Sequence, residues 1–377
     1  MALSRRNFLG SLGAGTAAAL VAGAIPDVAF AGQAPRGSGA SDVIILARNE
    51  NPYGQFPSVQ AALRGTLGVT NRYAVGGAVR GFEEQVAAYH KVKREQVLLG
   101  NGSTEVLAMA AHAFTGPGRP LVTALPTFEA PAHYAKANKA ENVQVPLTSS
   151  FAHDLDAMLA KGKNGGLFYI CNPNNPTASL TPRSDIDTFL QKLPGDAHVL
   201  IDEAYHHFAM DAPEYTSFLD KPVDDPRVIV ARTFSKVYAM AGLRLGYGIS
   251  TPATIRQLEE WKLDTNINTL VLAGAAAALN DDAAMRAAVA RNAADRARFM
   301  KEVDSHKLTC ISCHANFAMV ETGRPVQGLI DYYRKNNVQI GRPFPPMLNY
   351  ARVTFGKPDE MEQFWKLWDQ MPAAHAS

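Results

Sequence analysis

Arg232-Thr233-Phe234-Ser235-Lys236-Val237-Tyr238-Ala239-Met240-Ala241-Gly242-Leu243-Arg244-Leu245-Gly246-Tyr247 follows directly on the apolar run Val228-Ile229-Val230. The lead-in reads as a buried strand. Two hydroxyls, Thr233 and Ser235, precede one lysine, and a second cation, Arg244, comes eight residues after Lys236. Gly242 and Gly246 bracket that arginine and permit backbone that other residues would strain. A lysine beside hydroxyls and an arginine could hold an anion, or act as an amine nucleophile whose pKa a neighbouring cation lowers. A loop with two solvated cations is the plainer alternative.

Working outward, similar strand-then-polar junctions recur. Leu167-Phe168-Tyr169-Ile170 runs into Asn172-Pro173-Asn174-Asn175-Pro176-Thr177. Val199-Leu200-Ile201 runs into Asp202-Glu203-Ala204-Tyr205. Val97-Leu98-Leu99 runs into Gly100-Asn101-Gly102-Ser103-Thr104-Glu105 and then an apolar helix. That last junction is an anion site in outline, because free N–H groups and the helix dipole point out of it. Further strands are expected at Leu121-Val122-Thr123 and Val143-Gln144-Val145, with helices between several of them, for example Ile186 to Leu193. Alternation of this kind predicts an α/β domain with a largely parallel sheet. In such sheets ligands sit beyond the carboxyl ends of the strands, which is where all the polar motifs fall.

The chain has 377 residues, long enough for one large and one smaller domain. It is 47% hydrophobic and 19% charged, which is a globular balance. The formal charge is only +2 and no basic stripe is present, so nucleic acid is not an expected partner. Ser4-Arg5-Arg6-Asn7-Phe8-Leu9 is a twin-arginine pattern, followed by an uncharged Gly/Ala-rich run to Ile25 and by Ala29-Phe30-Ala31. Residues 1–31 are therefore expected to be an export signal for the twin-arginine translocase, cleaved near Ala31, giving a periplasmic or secreted protein. The remaining chain divides into an arm over 32–55, a large domain over 56–255 and a smaller α+β domain over 256–377. The last contains an Ala-rich helical region and strands at Phe317-Ala318-Met319-Val320 and Arg352-Val353-Thr354-Phe355.

Together, Asn-Pro-Asn-Asn-Pro-Thr, Asp-Glu-Ala-Tyr and Ser-Lys-(seven residues)-Arg resemble the fold-type I, class I/II pyridoxal-phosphate aminotransferases, most closely the histidinol-phosphate aminotransferase branch. The resemblance covers nearly all of residues 42–370. It implies pyridoxal 5'-phosphate as cofactor, with Lys236 as covalent anchor and proton shuttle and Asp202 paired to the pyridinium nitrogen. It implies that Tyr205 and Asn175 hydrogen-bond the phenolic oxygen and that Phe128 stacks on the ring. Gly102, Ser103 and Thr104 would form the phosphate cup, completed by Ser235, Arg244 and Thr233. Tyr73 would reach the cofactor phosphate of a neighbouring subunit, which implies a homodimer. Arg352 would clamp the substrate's anionic group, with Arg342 a second candidate, and Asn51 and Tyr53 are candidate substrate contacts.

The implied reaction moves an amino group from an amino acid or a histidinol-phosphate-like amine to a 2-oxo acid by a ping-pong mechanism. Racemisation, elimination or oxidative deamination on the same cofactor frame is the alternative, and a non-catalytic binding protein of the same fold is a further one. Enzymes of the histidinol-phosphate branch usually carry a Pro-Tyr segment before the Asn-Glu-Asn motif, whereas Gly32–Ser41 holds no tyrosine. Ala178 and Phe128 also stand where the family often has glycine and tyrosine. The three cysteines include Cys310-Ile311-Ser312-Cys313-His314, which matches a c-type haem attachment pattern. Its place just before a buried strand points instead to a packed turn, and no metal site is expected.

Overall fold

Runs rich in Val, Ile and Leu that are apolar at nearly every position can be buried on both faces, as a parallel sheet covered by helices requires. The computed structural model describes residues 43–74, 77–221 and 223–371. The expected export signal, residues 1–31, lies outside the described residues, as do residues 32–42 of the arm. Among the described residues the strands are, in chain order, β1 Ile44–Leu46, β2 Val97–Gly100, β3 Leu121–Leu125, β4 Asn142–Pro146, β5 Leu167–Cys171, β6 His198–Asp202, β7 Val228–Thr233, β8 Gly246–Ile249, β9 Phe317–Glu321, β10 Val338–Ile340 and β11 Tyr350–Thr354.

Seven of these form the main sheet, in the order β2-β8-β7-β6-β5-β3-β4. Every pairing is parallel except those of β8, which runs antiparallel to both β2 and β7. Alternate residues face opposite ways, as the pleat demands. Leu99, Val122, Phe168, Ile170, Val199, Ile201 and Val230 enter one apolar cluster. Leu98, Leu121, Leu167, Tyr169, Leu200 and Ile229 enter another. The helix Ser103–Phe114 covers the second face with Val106, Leu107, Met109 and Ala110.

A third cluster lies among the C-terminal elements. It gathers Leu46 of β1, Phe299 and Val303 of the long helix Asp282–Ser305, β9 to β11, and the helices Val326–Lys335 and Pro358–Asp369. Strand β1 pairs in parallel with β10, so the chain just before the Asn49 loop is built into this layer. The helix Thr269–Asn280 contributes Val271, Leu272, Ala275 and Ala278 to the first cluster. The long helix links the two layers, with Met285 in the first cluster and Phe299 in the third.

Strand β8 was not legible in the sequence, because the two glycines of Gly246-Tyr247-Gly248-Ile249 mask the strand character of Tyr247 and Ile249. Its glycine is a packing requirement. A Cβ on Gly246 would stand 2.2 Å from the backbone nitrogen of Ser103. The close approach brings the start of β8 against the start of the Ser103–Phe114 helix.

Candidate active site

Strand register alone gathers the polar motifs at one edge of the sheet. Cys171 pairs with Asp202, Asp202 with Ala231, Thr233 with Gly246, and Gly246 with Gly100. The residues that follow each carboxyl end therefore share one cavity of about 660 Å³. Its lining includes Ser103, Thr104, Phe128, Asn175, Asp202, Tyr205, Thr233, Ser235, Lys236, Arg244, Arg342 and Arg352. Gly102 caps the helix beside it. Most of the expected site residues are thus brought together.

Three are not. Tyr73 is 79% exposed and is not part of the lining of this cavity. Asn51 and Tyr53 line a separate small cavity next to Asp295 and Asn316. There Asn51 Nδ2 donates to the Val237 carbonyl at 3.1 Å, and the Tyr53 hydroxyl lies 3.0 Å from the Asp295 carboxylate. The Arg291 guanidinium sits over the Tyr53 ring. Asn51 is thus tied to the segment just after Lys236 and Tyr53 to the long helix, and both side chains line this second cavity.

The charged centre of the cavity is Lys236. Its Nζ donates to the Asn49 carbonyl at 3.1 Å. Burial lowers its pKa to about 8, with Arg352 and Arg244 pushing the same way and Glu50 and Asp202 opposing. The Asp202 carboxyl is held up at about 6 by burial, against hydrogen bonds from the Tyr169 hydroxyl at 2.9 Å and the Ala204 N–H at 3.1 Å and against the attraction of Lys236. An ionised Asp202 is thus favoured by any further positive charge placed beside it. Burial also raises the Tyr205 hydroxyl. That oxygen accepts from Asn49 Nδ2 at 3.0 Å and, more weakly, from Asn175 Nδ2 at 3.5 Å.

At the other end lies an anion cradle. The helix start leaves its first N–H groups free of intrahelical partners. Gly102 takes φ 78° and ψ 160°, a conformation open essentially to glycine alone. Arg244 takes left-handed backbone (φ 61°) and donates from Nη1 to the Ala241 carbonyl at 2.9 Å and toward Ser235 Oγ at 3.4 Å. The Thr233 hydroxyl donates to Ser235 Oγ at 2.9 Å, and its oxygen accepts from the Ser235 N–H at 3.1 Å. A Cβ on Gly102 would meet Arg244 Nη2 at 2.1 Å, so glycine is what lets the guanidinium close on the helix end. Hydroxyls, free N–H groups and one guanidinium form a donor set suited to a phosphate.

Arg352 is 8% exposed and bonds Asn175 Oδ1 and the Ala47 carbonyl, each at 2.6 Å. Its Nε is buried without a hydrogen-bond partner, and burial brings its pKa down to about 10. Arg342 stands further out, 2.5 Å from Glu129, and both arginines stack on Phe344.

Sequence reading overlooked two contributors. Tyr169 looked like strand core, yet its hydroxyl reaches Asp202. Asn49 looked like loop, yet it touches both Lys236 and Tyr205. Behind the site Glu203 and Arg232, each almost fully buried, form an ion pair at 2.8 Å that fixes the Asp202–Tyr205 turn to β7. The three cysteines are free thiols. The loop holding Cys310 and Cys313 packs against the Asn-Pro-Asn-Asn-Pro-Thr segment through the His314 N–H and the Ala178 carbonyl.

Comparison with known proteins agrees with this architecture. A histidinol-phosphate aminotransferase of Geobacillus thermodenitrificans is 36% identical over 305 residues, 80% of this chain and 82% of that protein. The crystal structure of a putative histidinol-phosphate aminotransferase from Erwinia carotovora atroseptica superposes with a TM-score of 0.83 at 29% identity, covering 87% of this chain and 95% of that one. The Sinorhizobium meliloti histidinol-phosphate aminotransferase, solved with pyridoxal-5'-phosphate, gives a TM-score of 0.82 at 25% identity, covering 88% and 93%. The family model for aminotransferase class I and II matches residues 41–366. The chain belongs to the class I and II aminotransferase family.

Proposed function

We propose that the protein is a pyridoxal-phosphate-dependent aminotransferase that moves an amino group from a small amine donor to a 2-oxo acid. The observation that carries this reading is the placement of the half-buried Lys236 amine and the buried Asp202 carboxylate in the one cavity that also holds the Ser103–Arg244 anion cradle. The names of the relatives support an amino acid or a histidinol-phosphate-like amine as donor.

The residues present fit the cofactor. Its phosphate would be held by the helix-start N–H groups, Ser103, Thr104, Ser235 and Arg244, and its ring would lie against Phe128. When bound, the cofactor supplies an electron-withdrawing ring that stabilises negative charge at the substrate's α carbon. Asp202 provides the negative partner for the protonated ring nitrogen, and Tyr169 holds that carboxylate in place. The Lys236 amine, with its pKa lowered to about 8, has an appreciable unprotonated fraction near neutral pH. It takes the proton from the α carbon and carries it on Nζ until it is returned. Tyr205 donates its hydroxyl toward the ring oxygen. Arg352 clamps the substrate carboxylate, orienting the α carbon toward Lys236.

The working form is a homodimer. The 79% exposure of Tyr73 supports a role in a neighbouring subunit's site. Residues 1–31 act as a twin-arginine export signal, on the strength of Arg5-Arg6 and the small residues before Gly32, and deliver the enzyme to the periplasm or beyond.

The test is a half-reaction. The purified protein is loaded with pyridoxal phosphate and offered single amino donors without an oxo acid. The visible absorbance of the lysine-bound cofactor should fall with a true donor and return on adding a 2-oxo acid. Lys236→Ala and Asp202→Asn should abolish or greatly slow both phases. Wild-type turnover in Lys236→Ala would refute the assignment.

A further inference from the structure

Asn49 is 2% exposed and holds φ 55°, left-handed backbone that only a few non-glycine residues adopt readily. Its hydrogen bonds leave it no freedom. The Asn49 N–H donates to Thr354 Oγ1 at 2.9 Å, and the Thr354 hydroxyl donates to Asn49 Oδ1 at 3.2 Å. With Oδ1 thus fixed as the acceptor, Nδ2 must be the atom that faces Tyr205, 3.0 Å from its hydroxyl oxygen. The main-chain carbonyl receives two donors, Lys236 Nζ at 3.1 Å and Asn316 Nδ2 at 3.0 Å. Asn316 Nδ2 also reaches the Glu50 carbonyl at 3.2 Å, which holds the turn from the other side.

A directional consequence follows for Tyr205. Asn175 Oδ1 accepts from Arg352, so Asn175 Nδ2 is likewise a donor to the tyrosine oxygen. With two amide groups donating to that oxygen, the tyrosine's own proton is aimed into the cavity.

We propose that Asn49 is a positioning residue for both proton-handling groups of the site. Its carbonyl oxygen docks Nζ of Lys236 whenever the amine is free, and its side-chain amide fixes Tyr205 as a hydrogen-bond donor to the cofactor's ring oxygen. The proposal rests on the cofactor reading above. The charged groups around Lys236 are Arg352, Glu50, Asp202 and Arg244, and none of them makes both contacts.

Two variants separate the contacts. Asn49→Gly keeps the positive φ and the carbonyl but deletes the amide. Asn49→Asp keeps the shape but replaces the amide donor with a carboxylate, which would turn the Tyr205 proton toward itself. The first readout is the pH titration of the lysine–cofactor absorbance in the loaded enzyme. The second, in the cofactor-free protein, is the pH dependence of Lys236 labelling by an amine-reactive reagent, read by mass spectrometry.

Both variants should move the loaded enzyme's titration about one unit to higher pH, because a donor that stabilised the deprotonated form is lost. In a Tyr205→Phe background the uncharged variant, Asn49→Gly, should move it no further. In the cofactor-free protein Asn49→Asp should raise the Lys236 labelling midpoint by about one unit, while Asn49→Gly should leave it in place. A loaded-enzyme titration that overlays wild type in both variants, or an equal shift by Asn49→Gly in the Tyr205→Phe background, overturns the Tyr205 half. A labelling midpoint in Asn49→Asp equal to wild type overturns the Lys236 half. Wild-type protein that gains no visible absorbance with pyridoxal phosphate would instead refute the cofactor reading, and the labelling arm would still decide the Lys236 contact.

Discussion

Replacing Gly102 by alanine isolates the anion cradle. The new Cβ would sit 2.1 Å from Arg244 Nη2, 2.8 Å from its Cζ and 3.3 Å from its Nη1. All three contacts are to the far end of a flexible side chain, so the strain is relieved by moving the guanidinium off the helix end. A charge-assisted hydrogen bond lost from Arg244 to a bound phosphate is worth about 1.5–3 kcal/mol. At about 1.4 kcal/mol per decade, the cofactor dissociation constant should rise about ten- to a hundredfold. The backbone conformation adds a separate cost of about 1–3 kcal/mol in stability, present with or without cofactor. Gly118→Ala is the matched control, because Gly118 has φ 77° and no atom within 4 Å of its added Cβ. It carries backbone strain alone. The assay is a titration of cofactor-free protein with pyridoxal phosphate, followed by absorbance, beside thermal unfolding of the same samples. Gly102→Ala should lose affinity and stability, and Gly118→Ala stability only. Wild-type cofactor affinity in Gly102→Ala would refute the placement of the phosphate between this helix and Arg244.

Glu203→Gln removes one partner of the buried pair with Arg232 and leaves an uncompensated guanidinium. Urea unfolding should show a loss of about 3–5 kcal/mol, and an unchanged midpoint would contradict the burial described here. The protein should also be acid-labile through His90, His206 and His207. Burial and the nearby Arg232 hold all three below the ordinary histidine range, His90 at about 3. Above about pH 6.5 these groups are neutral in both states and add no pH dependence. As pH falls below that value the unfolded chain takes up protons that the folded chain refuses, so stability declines down to about pH 3. Urea midpoints measured between pH 7 and pH 5 should fall for wild type and fall less for His90→Phe compared at the same pH values.

Much of the main sheet and most of the cavity were legible in the sequence, for a physical reason. Strand runs such as Val199-Leu200-Ile201 are apolar throughout, and the polar residues that end them must emerge at one edge. Lys236, Asp202 and Ser103 could thus be placed together without coordinates. What escaped were features set by tertiary contact. Strand β8 contains two glycines because the Ser103 backbone stands where a Cβ on Gly246 would be and the Val106 side chain where one on Gly248 would be, and no local pattern announces that. Asn49 lies in a segment whose turn-forming residues outweigh any other signal, and its role depends on Thr354, 305 residues away. Tyr53 follows the same logic in reverse. The family resemblance suggested a substrate contact, while Asp295 and Arg291 on the long helix hold its side chain elsewhere.

The central claim is that Lys236 is the residue to which the cofactor is joined. Borohydride reduction of the loaded enzyme, followed by proteolysis and mass spectrometry, tests it directly. The account predicts a pyridoxyl-phosphate mass on the peptide that contains Lys236 and on no other, lost in Lys236→Ala. A modified peptide that does not contain Lys236, or a loaded enzyme with no reducible linkage at all, would contradict it.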